Sequence, residues 1–187
     1  PSPDLRFGTD QLGQDVFARM VYGARVSLIV GFSVATISIL VGLTIGLFAG
    51  YYRRFDAIVM RLMDGLMAIP AILLAIAMVS LNQGSIGIVI AAISIPELPR
   101  VVRLVRSIVL SVKELPFVEA ARACGARTPR LLFWHIMPST IAPLIVQATY
   151  ICASAILVEA SLSFLGAGVP PEVPSWGNMI ASSRLYL

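Results

Sequence analysis

The sequence predicts an all-α fold, a polytopic membrane helical bundle, and three observations carry that prediction. Of 187 residues, 58% are hydrophobic and only 13% are charged, whereas a water-soluble globular chain has about 25% charged residues. The mean hydropathy is +0.89. Three stretches, 26–52, 65–96 and 131–158, contain no Asp, Glu, Lys or Arg, and each exceeds the ~20 apolar residues that cross a ~30 Å hydrocarbon core. The second is interrupted by Asn82-Gln83-Gly84-Ser85, a polar run that reads as a short connection between two spans. Four spans are therefore expected, at about 26–51, 57–81, 86–106 and 137–158.

Residues 1–25 are polar and mixed in charge, and the opening Pro1-Ser2-Pro3-Asp4 has none of the basic-then-apolar character of a cleavable signal. In the first span Gly42 and Gly46 enclose three residues, a small-x3-small spacing that lets another helix approach closely. It reads as a packing face, with a substrate-contacting face as the alternative. The second span starts with Arg61 and Asp64 at i and i+3, a local ion pair near the membrane edge, and contains Pro70.

In the third span Pro96 and Pro99 remove backbone donors and predict a kink or break. Glu97 lies between them, about eleven residues in and so near mid-membrane depth at ~1.5 Å per residue. An acid at that depth faces protein or water, which leaves two readings: a translocation path, or a carboxylate satisfied by Arg100 or nearby backbone. The fourth span is expected to end at Glu159, a weaker pathway candidate because water at a helix end accommodates it. Cys124 and Cys152 have no metal-type or disulfide-type spacing and read as packing residues. His135, the only His, reads as an interfacial packing residue.

Charge placement gives the orientation. Four spans put 53–56 and roughly 103–135 on one side, and that side with its helix ends holds Arg53, Arg54, Arg61, Arg100, Arg103, Arg106, Lys113, Arg122, Arg127 and Arg130, ten of the fourteen Lys and Arg. Arg6, Arg19, Arg25 and Arg184 stay on the other. The positive-inside rule makes the basic side cytoplasmic, so 1–25 and 160–187 are expected to be extracytoplasmic. The net charge of +4 therefore reflects membrane topology and does not point to nucleic acid.

Between the third and fourth spans lies a hairpin at 113–136. Pro116 near its start, Glu119 in the first turn and Gly125 past the end are helix start and stop signals in order. Thr128-Pro129 opens a second helix over 130–136 that leads into the fourth span. An amphipathic loop whose arginines meet anionic headgroups is the alternative, but headgroup binding requires neither of the fixed spacings described next.

Glu119-Ala120-Ala121, three residues, Gly125, and then Pro138 thirteen positions on resemble the EAA loop of ABC importer permeases. His135, Ile136 and Met137 blur the pattern's tail. Two further runs, 7–16 followed by Tyr22-Gly23-Ala24-Arg25, and Glu159-Ala160-Ser161-Leu162-Ser163-Phe164-Leu165-Gly166 followed by Pro174-Ser175-Trp176-Gly177-Asn178-Met179, resemble the C-type permeases of dipeptide, oligopeptide, nickel and glutathione importers. Gln14 stands where Arg or Lys is common.

The resemblance implies a type I ABC importer transmembrane domain of six helices in the plasma (inner) membrane of a bacterium or archaeon. Four of the six are expected here, with 1–25 preceding the second family helix, 26–187 forming the permease domain, and the terminal helices missing at both ends. It implies a transport subunit without its own ATPase, paired with a second homologous permease, two ATP-binding subunits and an extracytoplasmic solute-binding protein. ATP and Mg would be bound by the ATPase subunits and no cofactor by this chain. Phe117, Val118, Glu119, Ala120, Ala121, Gly125 and Pro138 would couple to the ATPases, with Phe117 and Val118 as apolar anchors in a partner groove. Glu97 and Glu159 are the candidates for a translocation path.

Two other classes fit parts of the sequence. Broken helices and a mid-membrane acid also suit an ion-coupled secondary transporter, which leaves the EAA spacing unexplained. An intramembrane enzyme would need a nucleophile and base or paired aspartates, and Asp64 has no aspartate at matching depth. No Gly-x4-Gly-Lys-Ser/Thr phosphate loop or hydrolytic constellation occurs in the sequence.

Overall fold

In the computed structural model, which describes residues 7–9, 13–81, 85–170 and 173–183, helices account for nearly all regular structure. The order is α1 Val16–Tyr51, α2 Arg53–Ala68, α3 Ala71–Leu81, α4 Ile86–Val112, α5 Pro116–Ala123, α6 Thr128–Arg130, a π-helical turn Leu131–Ile136, α7 Pro138–Phe164 and α8 Trp176–Ser183. The connection at 82–84, together with Arg6, Asp10, Gln11, Leu12 and Arg184 of the predicted outer segments, lies outside the described residues. The all-α prediction holds, while several boundaries move.

α1 begins at Val16, so the segment read as polar and extracytoplasmic is helical from there on. The second span is broken into α2 and α3 at Ile69, which is extended at φ −92° and ψ 127° because Pro70 disfavours the helical region for the residue before it. α4 contains both Pro96 and Pro99 yet runs unbroken to Val112. The break expected there does not form: Ala92 and Ile93 before the prolines and Val101, Val102 and Val105 after them are all buried, and packing on both sides overrides the lost donors.

By length and composition, α1 and α7 can each cross a membrane, and α2 with α3 form a bent pair that qualifies together. α4, the expected third span, is long enough but carries Glu97, Arg100, Arg103 and Arg106, too charged to qualify by the same measure. Phe32, Leu40, Ile145, Val146 and Leu157 on α1 and α7 are exposed. Large apolar residues in such number on an outer surface suit contact with lipid or another apolar partner.

The chain divides into two compact units. One comprises 35–70 and 94–151, and its centre is a seam between α1 and α4. A Cβ added at Gly42 would lie 2.5 Å from Val101 Cγ1, at Gly46 2.7 Å from Val105 Cβ, and at Gly50 2.6 Å from Val109 Cβ. Three glycines four residues apart thus receive three valines four residues apart, and the packing reading of the Gly42-x3-Gly46 spacing holds. Ala49, Val59, Met63 and Val102 form a core beside it, joined by Ile45, Met60 and Leu66.

Charges tie α2 to α4 at the same level. Arg106 Nη2 donates to Asp56 Oδ2 at 2.7 Å and its Nε to Oδ1, a bidentate fork. Arg103 Nη2 donates to Asp64, so Asp64 pairs across to α4 and not, as predicted, with Arg61. Lys113 Nζ donates to the Gly50 carbonyl at 3.1 Å, which satisfies an orphan acceptor at the end of α1.

The other unit comprises 7–34, 71–93 and 152–183 among the described residues. Here Gly31 lets α1 approach α7: an added Cβ would sit 3.0 Å from both the Cys152 carbonyl oxygen and Ile156 Cγ1. Trp176 at the start of α8 donates its indole N–H to the Met20 carbonyl at 3.1 Å, anchoring α8 on α1.

Candidate functional site

The hairpin between α4 and α7 is built by three sequence devices. Leu115 is extended at φ −77° and ψ 145°, Pro116 occupies the first turn and Glu119 follows in it, where a negative charge is favoured by the helix dipole. At the other end the Ala126 amide donates to the Ala121 carbonyl at 3.0 Å and the Gly125 amide to the Arg122 carbonyl at 3.0 Å, a Schellman closure. That closure needs a left-handed residue, and Gly125 supplies it at φ +85°. A Cβ at Gly125 would meet nothing within 4 Å, so the constraint on this position is conformational and not a matter of space.

After the reversal, α6 and the π-helical turn return the chain to α7. The expected second helix over 130–136 is therefore a wide turn, in which the Met137 amide reaches back five residues to the Leu132 carbonyl at 2.8 Å. Pro138 accounts for it: the ring offers no N–H and would crowd the carbonyl of Trp134 in an α-helix. Single π-helical turns of this kind are frequent at functional sites. Leu131, Leu132 and Ile136 of the turn are fully buried, and α5 packs on it. His135 is half-buried with Nδ1 3.2 Å from the Arg130 carbonyl oxygen, in keeping with a packing role.

The seven predicted coupling residues separate into a face and a base. Phe117, Glu119, Ala120 and Gly125 are exposed, and Ala121 is half-buried. Val118 is 0% exposed, which leaves it no surface to offer a partner groove, unlike the anchor role expected of it. Pro138, though exposed, acts through the backbone of the turn. Cys124, read as a packing residue, is exposed at the helix end. Leu115, Phe133 and Trp134 are exposed apolar residues near the same hairpin that sequence reasoning passed over; one signal was available, three bulky apolar residues lying just outside the Glu-Ala-Ala to Gly interval.

Neither candidate pathway acid presents a carboxylate to open space. Glu97 is 8% exposed, with both oxygens 3.4 Å from Arg100 Nη1, so it takes the second of the two readings above. Glu159 does not end its helix at water. α7 continues to Phe164 and Glu159 is 0% exposed. Its Oε1 accepts from Ser163 Oγ at 2.9 Å and Ser175 Oγ at 3.0 Å, while Oε2 is buried without a hydrogen-bond partner among the described residues.

This carboxylate belongs to a staple. The Asn178 amide nitrogen donates to Ser175 Oγ, and Asn178 Nδ2 lies 2.9–3.1 Å from the carbonyls of Val169, Pro170 and Val173. Gly168 and Gly177 fit because an added Cβ would lie 2.4 Å from Ser163 Cα and 2.7 Å from Ala160 Cα respectively. Asn178→Ala takes this donor from the Val169 and Val173 carbonyls, while Pro170 keeps the Val173 amide, a loss of ~1–3 kcal/mol. Hydrogen exchange across 166–170 and 173–175 is expected to quicken roughly tenfold or more; unchanged protection there would contradict the staple.

The chain matches the family described as binding-protein-dependent transport system inner membrane component over residues 42–186. It is 63% identical over 187 residues to a probable peptide ABC transporter permease protein of Sinorhizobium fredii, covering 100% of this chain and 64% of the relative. It is 46% identical over 188 residues to a dipeptide transport system permease protein of Alkalihalophilus pseudofirmus, covering 100% and 62%, and 40% identical over 185 residues to a glutathione transport system permease protein of Pectobacterium atrosepticum, covering 98% and 62%. The chain thus spans less than two thirds of the length of these relatives. Among solved structures, a chain from inward-facing conformations of the MetNI methionine ABC transporter superposes with a TM-score of 0.66 at 19% identity, covering 91% of this chain and 88% of that one; this is a likeness of fold. With its helical architecture and a family match over most of its length, the chain belongs to the family of binding-protein-dependent transport system inner membrane components.

Proposed function

We propose that this chain is the membrane-spanning permease subunit of an ATP-driven importer of peptides or a related small solute, and that the α5 hairpin is its contact with cytosolic ATPase subunits. The observation that carries the reading is the division of labour in the hairpin. An outer face of Phe117, Glu119 and Ala120 stands on a fully buried base of Val118, Leu131, Leu132 and Ile136. A short helix so mounted, and joined to α7 through a π turn, passes a push on its outer face to α7 as a rigid lever.

A second homologous permease would complete the pathway, two ATPase subunits would bind ATP and Mg and perform the hydrolysis, and a solute-binding protein would deliver cargo on the other side. The basic side, carrying the hairpin, faces the cytosol. Relatives named for peptide, dipeptide and glutathione transport support the substrate class, and their names give no support to ion coupling.

Crosslinking tests the contact in the assembled transporter. In a Cys124→Ser background, Phe117→Cys is expected to join to the ATPase subunit with a short thiol-reactive linker. Val118→Cys, one residue away but buried, is expected to give none. Equal yield from both positions, or none from Phe117→Cys in a complex that co-purifies, contradicts the assignment.

A further inference from the structure

The sequence singles out Glu97 as the charged group at depth in α4, but the structure turns Arg100 outward. The Glu97 side chain is 11% exposed and the Arg100 side chain 49% exposed. Arg100 lies about 21 Å along α4 from Ile86 at ~1.5 Å per residue, within the reach of a ~30 Å hydrocarbon core. A guanidinium facing lipid at such depth is costly, and such groups face water-filled space or protein.

Its surroundings fix the ring of donors without using them up. Nη1 is 3.4 Å from both Glu97 oxygens, longer than the ~2.7–2.9 Å of a tight charge-assisted bond. Arg100 Cζ stands 5.8 Å from the centre of the Tyr150 ring, within range of a cation–π contact, and Tyr150 is itself 54% exposed. Among the described residues no acceptor meets Nε or Nη2. That edge is the one a carboxylate engages with two parallel hydrogen bonds.

We propose that Arg100, oriented by Glu97 and Tyr150, is a carboxylate-binding group of the translocation path, taking the C-terminal carboxylate of a peptide as it passes. This rests on the permease reading above. The Glu97 charge serves a purpose here: it leaves the resting cluster neutral, so an arriving carboxylate is held but not trapped. A transport site must release what it binds.

The test uses the complete transporter, with its partner permease, ATPases and binding protein, in proteoliposomes supplied with tritiated dialanine. Wild-type uptake that depends on ATP tests the importer reading by itself. Arg100→Gln is expected to lower uptake at least tenfold while the complex still assembles and hydrolyses ATP, and Arg100→Lys is expected to keep an intermediate rate. The double variant Glu97→Gln/Arg100→Gln is expected to stay as low as Arg100→Gln. Recovery in the double variant would mean that Arg100 only neutralises Glu97, and would overturn the proposal.

Access is read separately. Arg100→Cys in a Cys124→Ser/Cys152→Ser background is expected to react with a water-soluble charged thiosulfonate in the assembled complex. A thiol that stays unreactive, sealed against the partner permease or in lipid, would also overturn it.

Discussion

Gly46→Leu is expected to collapse the stability of the unit built on α1 and α4. A Cβ at this position would lie 2.7 Å from Val105 Cβ and 2.9 Å from the Val102 carbonyl oxygen. The second contact is with backbone and cannot be relieved by a rotamer change, so the helices must part. Overpacking of this kind costs ~1–3 kcal/mol, and parting the helices also exposes Val102 and Val105, both 0% exposed in the folded chain. A fall in Tm of roughly 5–10 °C in detergent follows. Gly65→Ala is the matched control: an added Cβ there meets nothing within 4 Å, and in the interior of α2 alanine is favoured over glycine by ~1 kcal/mol. Equal loss from both substitutions would contradict the seam.

Gly125→Val is expected to disconnect the hairpin while leaving the helical bundle intact. At φ +85° an L-residue pays ~1–2 kcal/mol, and a β-branched one more. The nearest way to relieve that strain is to give up the two closing bonds, Ala126 to Ala121 and Gly125 to Arg122. α5 then loses its fixed angle to the π turn. Because the added side chain finds open space, no clash spreads into the core, and expression and membrane insertion are expected to stay at wild-type levels. Gly125→Asn, a residue that tolerates the left-handed region, is expected to fall between the two.

Some features are legible in the sequence and others depend on tertiary contacts. Gly125 could be read because a helix stop and a fixed spacing to Pro138 are properties of the chain itself. The α1–α4 seam could be half read: Gly42-x3-Gly46 announces a close approach but not that Val101, Val105 and Val109 fill it. Val118 and Phe117 look alike in sequence as apolar neighbours along an eight-residue helix, and only the packing shows that Val118 is the buried one. Glu159 was misplaced because the first acid after an apolar run looks like the end of a span. The Glu159-x3-Ser163 spacing was a local hint of satisfaction, but Ser175 arrives only through tertiary structure. Glu97 and Arg100 were both visible as a pair, whereas which of the two faces outward is a property of the fold.

On the proposed function, the α5 hairpin passes the work of ATP hydrolysis into the membrane helices. The most direct measurement is the ratio of substrate accumulated to ATP hydrolysed, taken on reconstituted transporters carrying wild-type chain, Gly125→Asn or Gly125→Val. The ratio is expected to fall in that order, with at least a tenfold loss for Gly125→Val while its subunits still co-purify. A Gly125→Val transporter with the wild-type ratio would contradict it.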